Sequence, residues 1–569
     1  MAKYKTDSRD LEFTLFDVLK VDERSGDFGR QDLVEVLGQF DRFVENEIFP
    51  VRTYGDSEGV KLTSEGVIVP PSFKEPIKKF YENGWMGLGY PEDIGGMPVP
   101  HTVSFACTSM YVGANVAFSM YSGLSQGAMN VILKIGSDAQ KAKCVEKMMS
   151  GEWGGTMCLT EPGAGSDVGA CKSTATPIAG GKYAIKGVKI FISSGESDLY
   201  QNNIHLVLAK TPGAPEGTKG LSLFIVPRFL DDGKINNVKC TKIEEKMGIH
   251  GSATCELTFG GAGECVGELI GKEFDGMANM FIMMNEARLL CAIQGESQAA
   301  LATELTLQYA KERAQFGTEI IHHPDVKRTL LRMRSLSRGM KSLVLYVADL
   351  FDRVKDDPNV EHEIALLTPV CKAYCTDEGF NVCVDAVQVH GGYGFCTEYG
   401  IEQFVRDTKI ATIYEGTNGI QAIDFVLRKI LKDGGKSFSA LGAKIEATLK
   451  KPGCSKWAGE VALLGESLKG AMATAKIFGE RAQKGQHNFV LAHATDYLAM
   501  CGNIVVAWRL LEGALVAQEK LATASPDQKG FLGSKAEDFQ FFAHNFLTKN
   551  AGIARKVHEF GEFLEGVEL

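Results

Sequence analysis

Four short stretches of this chain carry residue types and spacings that could do chemistry. The first is CLTEPGAGSDVGA, residues 158–170, whose glycines Gly163, Gly165 and Gly169 come close to a nucleotide-binding fingerprint. That fingerprint needs G-x-G-x-x-G between a strand and a helix. Here the third position is Val168, and the following CKSTATPIAGGKYAIKGVKIFISSG reads as strand, turn and strand, with no crossover helix. The loop therefore serves a β-rich domain, where the backbone N–H groups of a Gly-rich turn can form a nest of donors. The second stretch is Phe191-Ile192-Ser193, an aromatic and a hydroxyl two apart on a strand, a pattern that core and surface faces alone also produce. The third holds Arg313 in YAKERAQFG. A guanidinium suits bidentate phosphate recognition, although a Lys/Glu/Arg cluster also makes an ordinary solvated helix face. The fourth is Glu415 in KIATIYEGTNGI, a carboxylate flanked by Ile, Tyr and Gly. Desolvation there would raise its pKa towards the range a general base needs, whereas an exposed turn would leave it an ordinary glutamate.

The elements that must position these residues change texture along the chain. Helical spacing runs from about 30 to 150, in VEVLGQFDRFVENEIF and SMYVGANVAFSMYSGLSQGAMNVILKIG. Short β-type runs separated by Gly, Pro and Asp turns follow from about 155 to 260. Long helical segments return from about 272 to 430, with lengths suited to a four-helix bundle. A Gly/Lys-rich joint after KILKDGGKSF leads to a further helical region. The expected organisation is thus mostly α with a central all-β domain: a helical N-terminal domain (1–154), a β domain (155–271), a helical bundle (272–432) and a C-terminal helical extension (433–569).

Composition narrows the function classes. The 61 Lys plus Arg against 71 Asp plus Glu give a net charge of -10, which weighs against general nucleic-acid binding. Fourteen cysteines without a C-x-x-C pair, and an opening MAKYKTDSRD without an apolar signal region, lead us to expect a reducing cytoplasm. Cys371 and Cys375, four apart on a helix, read as two half-buried thiols in preference to metal ligands, and no metal is expected. No apolar run approaches the roughly 20 residues that span a bilayer, which leaves peripheral association at most.

Taken together and in this order, CLTEPGAGSD, KIFISSG, ERAQFG with VQVHGGYGF, and IYEGTNGIQ resemble the acyl-CoA dehydrogenase flavoprotein family, over about residues 35–430. The resemblance implies FAD as cofactor. Met157, Leu159, Thr160, Gly165 and Ser166 would contact it, with Leu159 and Thr160 near the ring edge. Phe191, Ile192 and Ser193 would lie against the flavin, Ser193 standing where relatives more often have Thr. Arg313, Gln315 and Phe316 would reach the pyrophosphate of a neighbouring subunit's FAD, and Gln388, Gly391 and Gly392 its adenosine end. Thr417 and Asn418 would add cofactor contacts, while Gly419 replaces a common Gln, and His323-Pro324 stands where many relatives have a further Gln contact. Substrate would meet Ser166, Asn285, Arg288, Glu415 and Gly416. Glu415 matches the family base that removes the proton alpha to the thioester while hydride leaves the beta carbon for flavin N5. A minority of relatives carry the base immediately before Arg288, but that residue is Ala287 here. Glu286, about 100° round the helix, is expected at the surface.

The implied reaction is α,β-dehydrogenation of an acyl-CoA to a trans-2-enoyl-CoA, as in fatty acid β-oxidation, with electrons passing to an electron-transfer flavoprotein. A C-terminal extension in the family goes with homodimers. Relatives with this N-terminal segment and extension include 3-(methylthio)propanoyl-CoA dehydrogenases. Two further readings are an acyl-CoA oxidase and a DNA-binding flavoprotein of alkylation defence. The near-neutral extension and the intact Glu415 argue against the second.

Overall fold

The computed structural model describes residues 3–568, apart from the side chains of residues 281–285 and 565–566. It divides into a unit made of residues 42–99 and 114–287 and a unit made of residues 1–41, 100–113 and 288–569.

The first unit contains helix α1 (Val116–Ile135) and an eight-stranded sheet. Its strands are β1 (Trp153–Cys158), β2 (Thr174–Pro177), β3 (Tyr183–Ser193), β4 (Asn202–Lys210), β5 (Leu221–Pro227), β6 (Val238–Ile243), β7 (Thr254–Phe259) and β8 (Val266–Leu269). The order β8-β5-β4-β2-β3-β7-β6 closes on itself because β8 pairs with β3 as well as with β5. Closure removes the edges of the five strands in the ring, so the β domain is a five-stranded barrel with three strands appended, β7 and β6 beyond β3 and β1 on β4. β1 lies parallel to β4, Trp153 opposite Asn202 through to Cys158 opposite Val207. β4 is covered by β1, β2 and β5, which accounts for burial along all but its last residue. The long helical run expected through 110–136 breaks at Asn115. Its backbone is extended, and its side chain accepts from Phe118 N to cap α1.

In the second unit three long helices dominate the 272–432 region: α2 (Gly276–Glu312, in this unit from Arg288 on), α3 (Pro324–Arg353) and α4 (Val360–His390). After α4, Gly391, Gly400 and Gly416 take positive φ, a conformation that ends helices, and in place of one further long helix the bundle region closes with two shorter ones, Glu402–Lys409 and α5 (Asn418–Ile423), the latter running on through Leu431. α6 (His487–Leu521), from the extension, packs along both α3 and α4. The extension is tied down by Tyr374, whose hydroxyl donates to Asn503 Oδ1 at 2.8 Å, and by Arg338 on Asp538 at 2.9 Å in the helix α7 (Pro526–Phe542).

One helix crossing matters for the site. A Cβ on Gly295 of α2 would stand 2.2 Å from the Cys375 carbonyl of α4, and one on Gly379 would stand 2.3 Å from the Gly295 carbonyl. The two backbones meet at glycines, and this approach sets α2 residues 288–294 beside α4 residue 372. It also buries Cys371 and Cys375 completely, a correction to the half-buried thiols expected from sequence. Burial raises both thiols, so neither suits metal binding. Gly295→Val should force the helices apart and cost about 1–3 kcal/mol. A thermal melt monitored by circular dichroism should show a lowered midpoint, and an unchanged melt would show that the crossing tolerates a side chain.

Candidate active site

In the β unit, the Gly-rich segment is held from beneath by a buried ion pair. Lys189, fully buried on β3, donates from Nζ to Glu161 Oε1 at 2.8 Å and to the Leu159 carbonyl at 3.0 Å. Glu161 also accepts from the backbone N–H groups of Lys172 and Ser173 at 2.6 and 3.0 Å. Burial pushes this carboxyl up, but the Lys189 ammonium and these hydrogen bonds more than reverse it and bring it down to about 2. The loop itself turns at Gly163 (φ 82°), where Ala164 N donates to Glu161 O. Thus anchored, it leaves Gly165 and Ser166 exposed and Leu159, Thr160 and Met157 half-buried.

The register of β3 slips between Lys189 and Ile192, and at this bulge Phe191 takes φ 58°. The extra residue throws the Phe191 ring outward, 58% exposed, although it lies in a strand. A flat apolar face beside the half-buried Ser193 and the loop 157–166 fits the ring system of a flavin. The Ile192 side chain points into the core instead, so only its backbone can meet a cofactor.

In the helical unit, Glu415 lies in a tight turn and has φ 55°, followed by Gly416 at 82°. Left-handed backbone at a glutamate costs about 1–2 kcal/mol, so the surroundings must hold it. They do so through Gln421, whose Nε2 donates to the Glu415 carbonyl at 3.0 Å, and Lys372, whose Nζ donates to the Gly416 carbonyl at 2.9 Å. Thr417 caps α5 by accepting from Ile420 N at 3.2 Å. Asn418, expected to touch the cofactor, turns its amide inward. It accepts from Lys372 Nζ at 2.8 Å and donates to Ala373 O and Thr376 Oγ1, which leaves no side-chain group for FAD. Among the described residues, nothing accepts from the Glu415, Gly416 or Thr417 backbone N–H groups.

Burial raises the Glu415 carboxyl above its ordinary value, opposed by Arg288 and then Lys372. Arg288 is itself buried, paired with Asp424 at 3.2 Å, and its Nε has no partner. The neighbouring Tyr414 hydroxyl donates to Gln294 of α2 and is raised by burial, so it stays neutral. The Asn285 side chain lies outside the described residues. Glu286 is not the surface residue expected from helical rotation. Asn130 donates to both of its carboxylate oxygens at 3.1 Å, so it is half-buried and engaged.

A third group gathers elsewhere in the helical unit. Arg313 lies over the Tyr393 ring at 5.4 Å, and Tyr309 stacks on His390 at 4.2 Å, which brings Arg313 beside the Gln388–Gly392 turn. Among the described residues no carboxylate pairs with Arg313, so its guanidinium is available to an anion. Gln315 and Phe316 form a hairpin tip in which Phe316 has φ 55° and is 96% exposed. His323 supports that tip, its ring nitrogen 3.0 Å from Gln315 O. Gln388, Gly391 and Gly392 are exposed at the end of α4.

An exposed aromatic face beside a Gly-rich loop in one unit, and in the other a buried carboxylate and a guanidinium with no carboxylate partner among the described residues, are features that suit a flavin-dependent oxidoreductase, and the comparisons with known proteins give the family. Family models for the N-terminal, middle and C-terminal domains of acyl-CoA dehydrogenases match residues 31–152, 156–262 and 275–431, and an acetyl-CoA dehydrogenase C-terminal-like model matches 441–564. A 3-methylmercaptopropionyl-CoA dehydrogenase of Ruegeria pomeroyi is 37% identical, over 94% of this chain and 93% of its own. The broad-specificity linear acyl-CoA dehydrogenase FadE5 of Mycobacterium tuberculosis is 35% identical, over 96% of each. A Bacillus anthracis acyl-CoA dehydrogenase complexed with FAD has the same fold, with TM-score 0.77 and 23% identity over 96% of this chain and 91% of that one. The chain belongs to the acyl-CoA dehydrogenase family, and FAD is its cofactor.

Sequence reasoning missed Glu161–Lys189 and Lys372. Lys189 shares its strand parity with the buried Ile185, and a lysine on the core side of a strand signals a buried partner. Glu161→Gln should leave the Lys189 charge unpaired in the core, costing about 3–5 kcal/mol. Because the Glu161 pKa is lowered on folding, the pair stabilises fully above the ordinary value of 4.5, and that contribution fades as pH falls towards about 2. Denaturation of wild type and variant across this range should converge at the acid end, and a gap independent of pH would show that the charge is not the cause.

Proposed function

We propose that Glu415 is the base of an FAD-dependent α,β-dehydrogenation of acyl-CoA thioesters. The observation that carries this is the Glu415–Gly416 turn: a carboxylate raised by burial, held in a strained conformation beside backbone N–H groups that have no acceptor among the described residues. Strain at a non-glycine residue persists only where the surroundings over-determine it, as functional sites do. The ionised carboxylate removes the proton alpha to the thioester. The Glu415 backbone N–H is free to donate to the thioester carbonyl, where negative charge develops as the proton leaves. Bound FAD supplies the hydride acceptor for the beta carbon. Arg288, fixed by Asp424, keeps a positive charge beside the base.

The loop at Met157–Ser166 and the exposed Phe191 are assigned to the flavin. Ser166 is assigned to the substrate as well. An electron-transfer flavoprotein would be the partner that takes up the electrons. The similarity to the Ruegeria enzyme favours a short sulfur-containing acyl group, 3-(methylthio)propanoyl-CoA, among the substrates, beside linear acyl-CoAs.

The working protein is proposed to be a homodimer. Lys372, beside the base, lies near the middle of α4, and Gly391 follows the C-terminal end of that helix 19 positions on in the sequence, about 28 Å along a helix. Arg313 and Gln388–Gly392 are therefore too far from the base to serve the reacting end of the same flavin, and they are assigned to the FAD of a second copy. The exposed Phe316 and Phe395 give that copy apolar surface to cover.

Purified protein titrated anaerobically with graded linear acyl-CoAs and with 3-(methylthio)propanoyl-CoA should bleach. Glu415→Gln should stay yellow, bind substrate and fail to bleach; bleaching at the wild-type rate would place the base elsewhere. Arg313→Ala should lose FAD affinity while keeping its own Glu415. Co-expressed Arg313→Ala and Glu415→Gln chains should regain activity in hybrids, each of which assembles one intact site. Absence of recovery in hybrids of confirmed dimer mass would overturn the shared-site reading.

A further inference from the structure

Beneath the turn that carries the base lies a lysine that none of the recognised motifs includes. Lys372 is 0% exposed. An ammonium is seldom buried without a carboxylate partner, because removing it from water costs several kcal/mol. Here its two nearest acceptors are neutral, the Gly416 carbonyl at 2.9 Å and Asn418 Oδ1 at 2.8 Å. Asn418 is held in that orientation by Ala373 O and by Thr376 Oγ1, whose own hydroxyl donates to the Lys372 carbonyl at 2.8 Å. The acceptor is thus built to receive the ammonium without neutralising it, and the positive charge is left to act on whatever anion stands nearby. Two carboxylates feel that charge, Asp377 on the same helix and Glu415 in the turn above it.

We propose that Lys372 is a positioning residue for the base: its ammonium clamps the left-handed Glu415–Gly416 turn through the Gly416 carbonyl and holds an unneutralised positive charge behind the carboxylate. The inference rests on the reading of Glu415 as the base. Within this unit the groups that act on Glu415 can be named. Arg288 is positive but already paired with Asp424. Cys291 and Tyr414 are raised by burial and stay neutral at working pH. Asp377, raised by burial, acts on Lys372 from the same helix and is itself opposed by the Asn418 side chain, Lys409 and Lys372. Lys372 is therefore the cation near the base whose hydrogen bonds go to neutral acceptors. Burial lowers its own pKa, which is the direction expected where no carboxylate bonds to it.

Two roles follow, and they separate experimentally. Without the charge, Glu415 would hold its proton to higher pH and be a weaker fraction of active base at neutrality. Without the clamp, the turn would relax and the rate would fall at every pH. Lys372→Gln keeps a hydrogen-bond donor and removes the charge, whereas Lys372→Arg keeps the charge. Stopped-flow flavin reduction by an acyl-CoA, followed from acid to alkaline pH on FAD-loaded protein, reads both. For Lys372→Gln the acid limb of the profile should move to higher pH, with rate lost at neutrality and recovered at alkaline pH, and Lys372→Arg should restore the limb. A uniform loss at all pH values, or an unmoved limb, would overturn the charge role. If Lys372→Gln does not fold, Asn418→Asp carries the test, since a carboxylate there neutralises the ammonium in place and should move the limb the same way. Bleaching by Glu415→Gln would sink the base reading itself, whereas an unmoved limb with Glu415→Gln inactive sinks only the role of Lys372.

Discussion

A carboxylate that is to take a proton from carbon must be withdrawn from water, yet withdrawal alone would leave it protonated and useless. The helical unit resolves this conflict at Glu415 by burying it and then placing Arg288 and Lys372 within reach of its charge. Much of the surrounding architecture follows from that requirement. Arg288 comes from α2 and Lys372 from α4, so the two helices must approach closely enough for both cations to bear on one side chain. They meet at Gly295 and Gly379, where a single methyl group would already collide with backbone. The desolvation of two cations is then offset locally, by Asp424 for one and by the Gly416 carbonyl and Asn418 for the other.

The β unit solves a different problem by the same means. A loop that must present its backbone and hydroxyls to a ligand has few contacts of its own to hold it. Glu161 and Lys189 supply them from below, and the pair is effective because both members have further partners: two backbone N–H groups for the carboxylate and the Leu159 carbonyl for the ammonium. Breaking either would leave a charge in the core, so the loop is held by the cost of any alternative. The bulge that exposes Phe191 follows one residue after Ile190, whose N–H bonds to Thr160 O, so the loop and the aromatic face are fixed to each other.

Much of the fold was legible because its texture is coarse. Runs of β-branched residues broken by Gly and Pro gave the barrel, and long helical spacing gave α2, α3 and α4. The end of the bundle region is less legible, because a 3.6-residue pattern does not report where positive-φ glycines divide it into shorter helices. The extension's α6, distant in sequence, covers α3 and α4 as well. At the site, Glu415 was legible as a carboxylate among apolar neighbours, whereas Arg313 and Phe191 fit ordinary helix-face and strand patterns and were singled out by the family resemblance. Asn418 and Ile192 were assigned by their place in a motif, and side-chain direction decided otherwise. Lys372 was overlooked for a related reason. In TPVCKAYCT a single lysine reads as the solvated edge of a helix, and only the absence of an acidic partner at i±3 and i±4 marks it as buried.

The placement of strain and charge also explains why the proposed base sits in a turn and not on a helix. Inside a helix the N–H of Glu415 would be used by the backbone four residues earlier, and its carbonyl by the backbone four residues later. In the left-handed turn the carbonyls of Glu415 and Gly416 are taken by Gln421 and Lys372, while among the described residues the N–H groups of the same residues have no acceptor. One short segment therefore offers a proton acceptor from its side chain and hydrogen-bond donors from its backbone. Removing an alpha proton needs both at once, because the charge that leaves the carbon as the proton departs collects on the thioester oxygen. The conformational cost of about 1–2 kcal/mol at Glu415 is small beside what one well-placed donor to a developing oxyanion contributes, about 3–4 kcal/mol.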